Sequence, residues 1–336
     1  MKNNEHLSAS VTLKEAIMDK HVPDDFYSTT NNTTMIFWDD RWITVQSQRM
    51  DALIVVNRNS AYCKKLRDIK KGDWLVCGNT GVRVLSQIDA EDKDSFGFMN
   101  NCVSSERRNE LIIRELAESI ISNNKKITLV LGPVVVHTGG DVYIRELIKE
   151  GCVYSILAGN AVAVHDIEKS LYGTSLGVCA KSGRAVQQGY RNHMRAINQV
   201  NKYGSIKEAV SEGAISSGIM YECVMNNIPF VLAGSLRDDG PLPDTISDMV
   251  KAQEAYSKYL MNSDIVIVLG SMLHGIAAGN MLPARVEMVC VDINPAVVTK
   301  LSDRGSSQAA GIVTDVGLFL SLLSKELKEK QLRQVI

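Results

Sequence analysis

The sequence has no apolar run near the roughly 20 residues that a membrane-spanning helix needs. Its N-terminal segment, MKNNEHLSAS, also lacks the apolar stretch of a secretory signal. The 336 residues carry a formal net charge of -1, which argues against the basic surface of a nucleic-acid-binding protein. We therefore expect a cytoplasmic protein that binds neither a membrane nor nucleic acid.

Close metal-ligand spacing and two catalytic motifs are also missing. The seven cysteines include no CxxC pair, and their odd number and wide spacing favour free thiols in a reducing compartment. No Cys/His pair has the spacing of a zinc site, so we expect no metal. The GxGxxG fingerprint of standard Rossmann domains and the GxSxG elbow of Ser/His/Asp hydrolases are both absent.

Short β-type runs dominate the first third of the chain. Met35–Trp38 and Trp42–Val45 flank Asp39-Asp40-Arg41, which predicts a hairpin. Further strands are predicted at Ala52–Val56, Trp74–Cys77 and Val82–Leu85. We predict a small β-rich N-terminal domain over residues 1–105, in which the pattern alone indicates no chemistry.

Continuous apolar runs alternate with helical stretches in the rest of the chain. After a helix predicted over Glu106–Ser122, the runs are Ile127–Leu131, Val153–Leu157, Phe230–Leu232, Ile265–Leu269, Val286–Val291 and Gly311–Val313. Such runs are typical of strands that are buried on both faces of a parallel sheet. We predict an α/β domain over residues 106–336, with a mostly parallel sheet covered by helices on both sides.

Small or polar residues follow every one of these runs, where open parallel sheets bind their ligands. Glycine lets backbone N–H groups approach a phosphate, and a following helix N-terminus favours the anion. Asp292 ends one run and suits ribose hydroxyls. Any single glycine could equally end a strand, but the whole set favours a nucleotide site. The pairing of Gly-Ser-x-Leu with Asp-Ile-Asn-Pro one strand later is similar to the Rossmann-like fold shared by sirtuins, deoxyhypusine synthase and thiamine-diphosphate enzymes.

Two segments carry candidate acid/base groups. His165-Asp166-Ile167-Glu168 closely follows Asn160 and suits proton transfer, although exposed charges at a helix start would give the same pattern. The loop Arg237–Asp244 offers a cation for a carboxylate and adjacent acids, one of which could have a raised pKa. A solvated turn is the alternative for this loop. His137 and His274 lie in glycine loops, where structural and catalytic roles stay equally open.

Long segments of the chain resemble the archaeal-type ornithine cyclodeaminases. The same module forms the C-terminal part of cyanobacterial arginine dihydrolase/ornithine cyclodeaminases, and its members are described as LOR/SDH-related. The matching segments include FYSTTN, QRMDALIVV, GPVVVHTGG, LAGNAVAVHDIE, GTSLGV, PFVLAGSLRDDGPLPD, MLHGIAAGNMLP and VCVDINPAVVTKLSDRGSSQAAGIVTDV. Family members usually carry an extra α/β segment before FYSTTN, where this chain has about 25 residues. A shortened first domain would alter substrate access or oligomer contacts.

The resemblance implies conversion of L-ornithine to L-proline and ammonia. Tightly bound NAD takes hydride from the α-carbon and returns it after the side-chain amine has displaced ammonia, so that no net redox occurs. The resemblance and loop position together suggest Arg237 as carboxylate clamp and Asp239, or else Asp238, as base. His165 and Asp166 are second choices for the base, and Asn160 would orient the nicotinamide or the substrate. Asn31 and Arg49 would close the site from the first domain.

The same reasoning gives a set of residues that are expected to contact NAD. They are Gly132, Thr138, Gly139, Gly159, Asn160, Gly234, Gly270, Ser271, Met272, Asp292, Ile293, Asn294 and Asp315. Parallel α/β enzymes often self-associate, so we expect a homo-oligomer, either a dimer or a tetramer. Two other functions stay open: an NAD-dependent enzyme that acts on another amino acid or amine, and a non-catalytic NAD-binding subunit.

Overall fold

A computed structural model describes residues 9–58, 60–85, 105–122, 125–238, 240–304 and 309–334. The chain divides into two compact units. One comprises Met1–Ser95 with Asn280–Val286, and the other comprises Phe96–Gly279 with Glu287–Ile336. The domain boundary expected near residue 105 stays a prediction.

The first unit is built from two antiparallel sheets. One has the strand order β1-β6-β4-β5 and the other the order β3-β2-β7. The strands are β1 (Thr12–Glu15), β2 (Thr33–Trp38), β3 (Arg41–Thr44), β4 (Leu53–Asn57), β5 (Ser60–Lys64), β6 (Trp74–Cys77) and β7 (Val82–Leu85). The predicted hairpin is confirmed: β2 pairs with β3, and Asp39 and Asp40 both have positive φ, as a two-residue turn of type I′ requires. Ile36, Ile54 and Val76 belong to the apolar core of this unit.

The second unit contains a seven-stranded parallel sheet with the order β13-β12-β9-β8-β14-β15-β16. Its strands are β8 (Ile127–Leu131), β9 (Ser155–Gly159), β12 (Phe230–Ala233), β13 (Thr245–Ile246), β14 (Ile265–Leu269), β15 (Glu287–Asp292) and β16 (Ala309–Val313). Without the short outer strand β13, this is the 3-2-1-4-5-6 order of doubly wound nucleotide-binding sheets. The α/β fold class is therefore confirmed. The run predicted at Val153–Leu157 begins two residues too early, because Val153 is buried but precedes the strand.

Helices cover both faces of this sheet. They are α1 (Ser105–Ser122), α2 (Val134–His137), α3 (Asp141–Lys149), α4 (Asn160–Tyr172), α5 (Asn192–Asn201), α6 (Ile206–Ser211), α7 (Ile219–Met225), α8 (Met249–Leu260), α9 (Met272–Met281), α10 (Pro295–Arg304) and α11 (Val316–Gln334). Alternate strand residues such as Leu129 and Ile267 share one core with α1, α3, α4 and α11. The other face meets α8, α9 and α10. A hairpin of β10 (Thr174–Ser175) and β11 (Val178–Cys179) follows α4.

Apolar helices long enough to cross a bilayer do not occur in the part of the chain that the structure describes.

Candidate active site

The chain reverses direction across the sheet between β8 and β14. From β8 it proceeds through β9 to β12, and it then returns to place β14 on the other side of β8. In doubly wound sheets, ligands usually bind at the carboxyl edge of the sheet beside such a reversal of strand order. We therefore expect the predicted nucleotide site at the carboxyl edge between β8 and β14.

Two glycines bring the loops after β8 and β14 into backbone contact. The N–H of Gly132 donates to the carbonyl oxygen of Leu269 at 2.8 Å. A Cβ at position 132 would overlap the carbonyl of Gly270, and a Cβ at position 270 would overlap Val134. Gly270 also has φ +58°, in the left-handed region that favours glycine. Glycine at both positions is therefore what lets the two loops pack against each other.

Helix α9 begins directly after Gly270 and Ser271. Its first turn starts at Met272, so the partial positive charge of the helix lies beside the glycine pair. Ser271 is buried, and its Oγ lies 3.2 Å from Nδ1 of His274. Backbone N–H groups at a helix N-terminus next to a glycine turn form the usual cradle for a phosphate.

Asp292 is the last residue of β15, Asn294 follows that strand and Asp315 follows β16, but the three side chains contact different groups. Asn294 accepts the N–H of Ala296 at 3.0 Å and so caps α10, with Pro295 as its first helical residue. Asp315 accepts the N–H of Leu318 at 2.9 Å and caps α11. Asp292 accepts the N–H of Asn294 on Oδ1 at 2.8 Å, and no donor from the described residues contacts its Oδ2. Asp292 and Asp315 each keep one carboxylate oxygen without a donor among the described residues, and Asp292 lies nearer in strand order to the glycine pair.

Thr138 and Gly139 follow α2 in the connection after β8, and Ile293 follows β15. The Oγ1 of Thr138 donates to the carbonyl of Val134 at 2.9 Å, so this hydroxyl completes α2. Gly139 has φ +79° and open space where a Cβ would stand. Ile293, next to Asp292, is 71% exposed, which is unusual for so apolar a side chain.

A second group of predicted residues meets beyond β9 and β12. A Cβ at Gly159 would lie 2.9 Å from Cε1 of His274, so His274 covers the end of β9 only because residue 159 is glycine. Burial lowers the pKa of His274, and the nearby Asp238 partly opposes this. Gly234 likewise lies beside the carboxylate of Asp238.

Asn160 is buried at the first position of α4, with its amide held in one orientation. Its Oδ1 accepts the N–H of Leu242 and the Oγ1 of Thr245, both at 3.0 Å. Among the described residues, no acceptor contacts its Nδ2. The amide N–H groups are thus available to a ligand at the carboxyl edge of β9.

The loop after β12 holds the predicted clamp and bases. Asp238 accepts the N–H of Ser235 at 2.7 Å and its Oγ at 3.2 Å, which makes a local turn. Arg237 is exposed and forms no ion pair with any described residue. Asp239, the first choice for the base, lies outside the described residues.

Asp166 lies on α4, and its carboxylate caps the start of α7. Its two carboxylate oxygens accept the N–H groups of Ile219 and Met220, each at 2.8 Å. Gly218, with φ +108°, gives this carboxylate room. Burial raises the pKa of Asp166 to about 6, although the two N–H donors oppose the rise. This geometry is that of a helix cap.

His165 belongs to a buried polar network rather than to an exposed helix start. Its Nδ1 lies 3.0 Å from Oε2 of Glu168, whose side chain is fully buried. Glu168 also accepts the hydroxyl of Thr174 and the N–H groups of Leu176 and Gly177. Burial alone would raise the pKa of Glu168, but the bonds from His165, Gly177 and Thr174 outweigh it and lower the pKa. The alternative of solvated charges is wrong for this segment.

His137 extends this network toward the loop after β8. Its ring lies edge-on to that of His165, with the centroids 4.9 Å apart, and its Nδ1 lies 2.7 Å from Oγ of Ser175. Burial, together with the neighbouring His165, lowers the pKa of His137 to about 4. The sequence placed Glu168 in a candidate acid/base segment without giving it a separate role, and its spacing of three residues from His165 is the signal for their contact. Ser175 was missed in the sequence.

Asn31 and Arg49 lie in the first unit, in the segments FYSTTN and QRMDALIVV, which contact each other. The Oγ1 of Thr29 donates to the carbonyl of Arg49 at 2.7 Å, and the carbonyl of Asn31 accepts the N–H of Ala284 at 2.8 Å. The Nε of Arg49 is buried and has no partner among the described residues. Their part in substrate binding stays a prediction.

Family models for the C-terminal part of ArgZ-like arginine dihydrolases match most of the chain. The model of its first region matches residues 33–113, and that of its Rossmann fold matches residues 110–323. Ornithine cyclodeaminase from Methanothermobacter thermautotrophicus is 51% identical over 94% of this chain and 79% of its own length. The bifunctional arginine dihydrolase/ornithine cyclodeaminase AgrE from Nostoc is 50% identical over 94% of this chain and 46% of its own length.

Two solved structures are similar to this chain over nearly its whole length. A conserved LOR/SDH protein from Methanococcus maripaludis covers 96% of this chain and 99% of its own, with a TM-score of 0.89 and 46% identity. A ternary complex of AgrE with ornithine and NAD+ covers 98% of this chain and 48% of its own, with a TM-score of 0.65 and 47% identity.

Proposed function

Because this chain belongs to the family of archaeal ornithine cyclodeaminases and ArgZ-like C-terminal modules, we propose that it converts L-ornithine to L-proline and ammonia with NAD. The observation that carries this proposal is the glycine pair at the ends of β8 and β14, beside the N-terminus of α9 and with an available carboxylate one strand further along. A relative that is aligned over nearly the whole chain has been solved with ornithine and NAD+, which are the substrate and cofactor proposed here.

The residues around the glycine pair fit NAD by their chemistry. The backbones of Gly132 and Gly270 and the N-terminus of α9 would hold the pyrophosphate, since the helix begins directly beside the glycine pair. Asp292 would accept the hydroxyls of a ribose on its available oxygen. The exposed side chain of Ile293 would lie against the adenine, and Asn294 and Asp315 would support this end as helix caps.

NAD, when bound, would take up the hydrogen of the substrate's α-carbon with its electron pair and later return it, so that no net oxidation occurs. The chain must orient both partners and keep water from the reacting carbon. Asn160 would orient an amide or carboxylate through its Nδ2, because its Oδ1 is held by Leu242 and Thr245. His274 and Gly159 would close the site over β9.

Proton transfer is assigned to the loop after β12. The α-ammonium must lose a proton before the α-carbon can give up hydride, and the side-chain ammonium must lose one before it can attack, so a carboxylate within reach is required. The same group can return a proton to the nitrogen that leaves as ammonia. Asp239 and Asp238 are the candidates, and the exposed Arg237 is the candidate clamp for the substrate carboxylate. We give Asp166 no chemical role, because both of its oxygens cap α7.

The test is an assay of the purified protein, supplied with NAD, against ornithine, lysine and diaminobutyrate. We expect ammonia and proline from ornithine in equal amounts, without accumulation of NADH. Accumulating NADH would identify an amino-acid dehydrogenase instead. NAD binding with every amino acid unchanged would identify a non-catalytic NAD-binding subunit.

We further propose that the enzyme works in the cytoplasm as a homo-oligomer, either a dimer or a tetramer. The six described cysteines are unpaired, which is typical of a reducing compartment. Parallel α/β enzymes often self-associate. Sedimentation equilibrium of the NAD-loaded protein would give the mass of the assembly, and a monomer at working concentration would contradict the oligomer.

A further inference from the structure

A cavity of about 340 Å³ lies beside α2 and the β10–β11 hairpin in the second unit. This volume falls within the range of small-molecule pockets, near its lower end. Its polar walls include the side chains of His137, Lys169, Ser175 and Cys179. Thr138 and Gly139, which follow β8 at the carboxyl edge of the sheet, also line it.

Lys169 brings a positive charge to this cavity. Its Nζ lies 2.6 Å from Oδ1 of Asp141, a carboxylate with only 4% of its side chain exposed. Asp141 fixes the position of the ammonium but takes only one of its three N–H donors. The other donors are available to an anion in the cavity, and the lysine side chain is 23% exposed there.

His137 and Ser175 bring neutral acceptors to the same space. The low pKa of His137, caused by burial and by His165, keeps the imidazole uncharged at neutral pH, so that it does not repel an ammonium. When Nδ1–H donates to Ser175, the lone pair of Nε2 stays available. Glu168 holds His165, and His165 packs against His137, so the imidazole cannot turn freely.

We propose that this cavity holds the amino-acid head of the substrate, with Lys169 binding the α-carboxylate and His137 with Ser175 accepting hydrogen bonds from the α-ammonium. The proposal rests on the proposed function, since it locates the substrate of that reaction. One cation beside two neutral acceptors complements a zwitterion. In this arrangement the clamp for the substrate α-carboxylate is Lys169 instead of Arg237.

The first test removes the charge of Lys169 without leaving Asp141 unpaired. The double variant Asp141→Asn/Lys169→Gln does this, because a buried charge without its partner would destabilise the fold. We expect its Kd for ornithine, measured by calorimetry on the NAD-loaded protein, to rise about 10- to 100-fold. The wild type should prefer ornithine to 1,4-diaminobutane, which lacks the carboxylate, and the double variant should lose most of this preference.

A matched control removes a similar ion pair elsewhere. Lys149 and Glu222 form a 2.9 Å pair with a buried carboxylate, away from the cavity walls. Lys149→Gln/Glu222→Gln should therefore keep the ornithine affinity of the wild type. If Asp141→Asn/Lys169→Gln binds ornithine as the wild type does, while Arg237→Gln binds it more weakly, the clamp is Arg237 and the inference is wrong.

Cys179 gives a second readout that does not depend on turnover. Hydrogen bonds from Ser182 and a backbone N–H at Lys181 lower the pKa of its thiol, so it should react readily with iodoacetamide. Saturating ornithine should slow its alkylation, measured by mass spectrometry, with the partly exposed Cys152, which does not line the cavity, as the internal reference. An unchanged alkylation rate would overturn the cavity assignment. Protection without ammonia release would overturn the proposed function and leave the binding site standing.

Discussion

Asp166 and Asp292 are both aspartates of the parallel-sheet unit, but their carboxylates contact different groups. Asp166 gives both oxygens to backbone N–H groups of α7, whereas Asp292 gives one to Asn294 and keeps the other. Residue type and position could not separate these cases in the sequence, because the partners of Asp166 lie more than 50 residues away in the chain. Two predictions separate them.

Replacement of Asp292 by Asn should weaken NAD binding. The amide still accepts the N–H of Asn294, but it offers no charged acceptor to ribose hydroxyls. Hydrogen bonds to charged groups contribute about 1.5–3 kcal/mol, so we expect the Kd for NAD to rise roughly 10- to 100-fold by calorimetry. Asp248→Asn, which keeps the exposed cap of α8, is the control. If Asp292→Asn and Asp248→Asn bind NAD with the same Kd, Asp292 does not belong to the cofactor site.

Replacement of Asp166 by Ala should instead lower the free energy of unfolding. The variant leaves two buried N–H groups of α7 without an acceptor, at a cost of about 1–3 kcal/mol each. Asp248→Ala removes an exposed cap and should cost about 1 kcal/mol. Urea unfolding measures both. Unchanged stability together with abolished ornithine turnover would show that Asp166 is a chemical group.

His137 makes a prediction about pH. Its pKa is about 4 in the fold and takes its ordinary value near 6.5 in the unfolded chain, so the unfolded chain binds the proton first as pH falls. The stability linked to neutral His137 is fully present above about pH 6.5 and is lost between there and about pH 4. Urea unfolding of His137→Asn should show a shallower loss over this range than the wild type. The exposed His21→Asn should follow the wild type, and if His137→Asn also does so, the explanation is wrong.

At the scale of elements, the close approach of the loops after β8 and β14 requires glycine at position 132. Gly132→Ala would place a Cβ on the carbonyl of Gly270, which cannot move without breaking the pairing of the strands. We expect the free energy of unfolding to fall by more than about 4 kcal/mol. If the variant still folds, we expect it to lose NAD binding. Gly173→Ala, at a left-handed helix end with open space, should cost about 1–2 kcal/mol and keep NAD binding. Equal effects of the two substitutions would contradict the close approach.

The elements that the sequence predicted well are those that are buried on both faces. Runs such as Ile127–Leu131 and Ile265–Leu269 match their strands to the residue, because no polar position interrupts them. Strands β1 and β13 were missed, since four and two residues of mixed polarity show no period. The glycines at strand ends were predictable from local sequence. The network of Glu168 was not, because its partner segment β10 has only two residues and no apolar pattern.

At the scale of the whole molecule, strand order places the predicted site. The sequence could not give this order, since equal apolar runs are compatible with several arrangements of a parallel sheet. Once β8 and β14 are neighbours, the glycines that follow them meet, and the carboxylate at the end of β15 lies one strand further along. A cofactor that spans from the glycine pair toward β15 and β16 fits this order.

The central claim is that bound NAD removes the α-hydrogen of ornithine and gives it back to the same molecule. The most direct measurement uses L-ornithine that carries deuterium on its α-carbon and analyses the proline by mass spectrometry. We predict proline that keeps the deuterium at its α-carbon, made with a catalytic amount of NAD. Proline that has lost the deuterium to water or to free NADH, or no proline at all, would contradict the account.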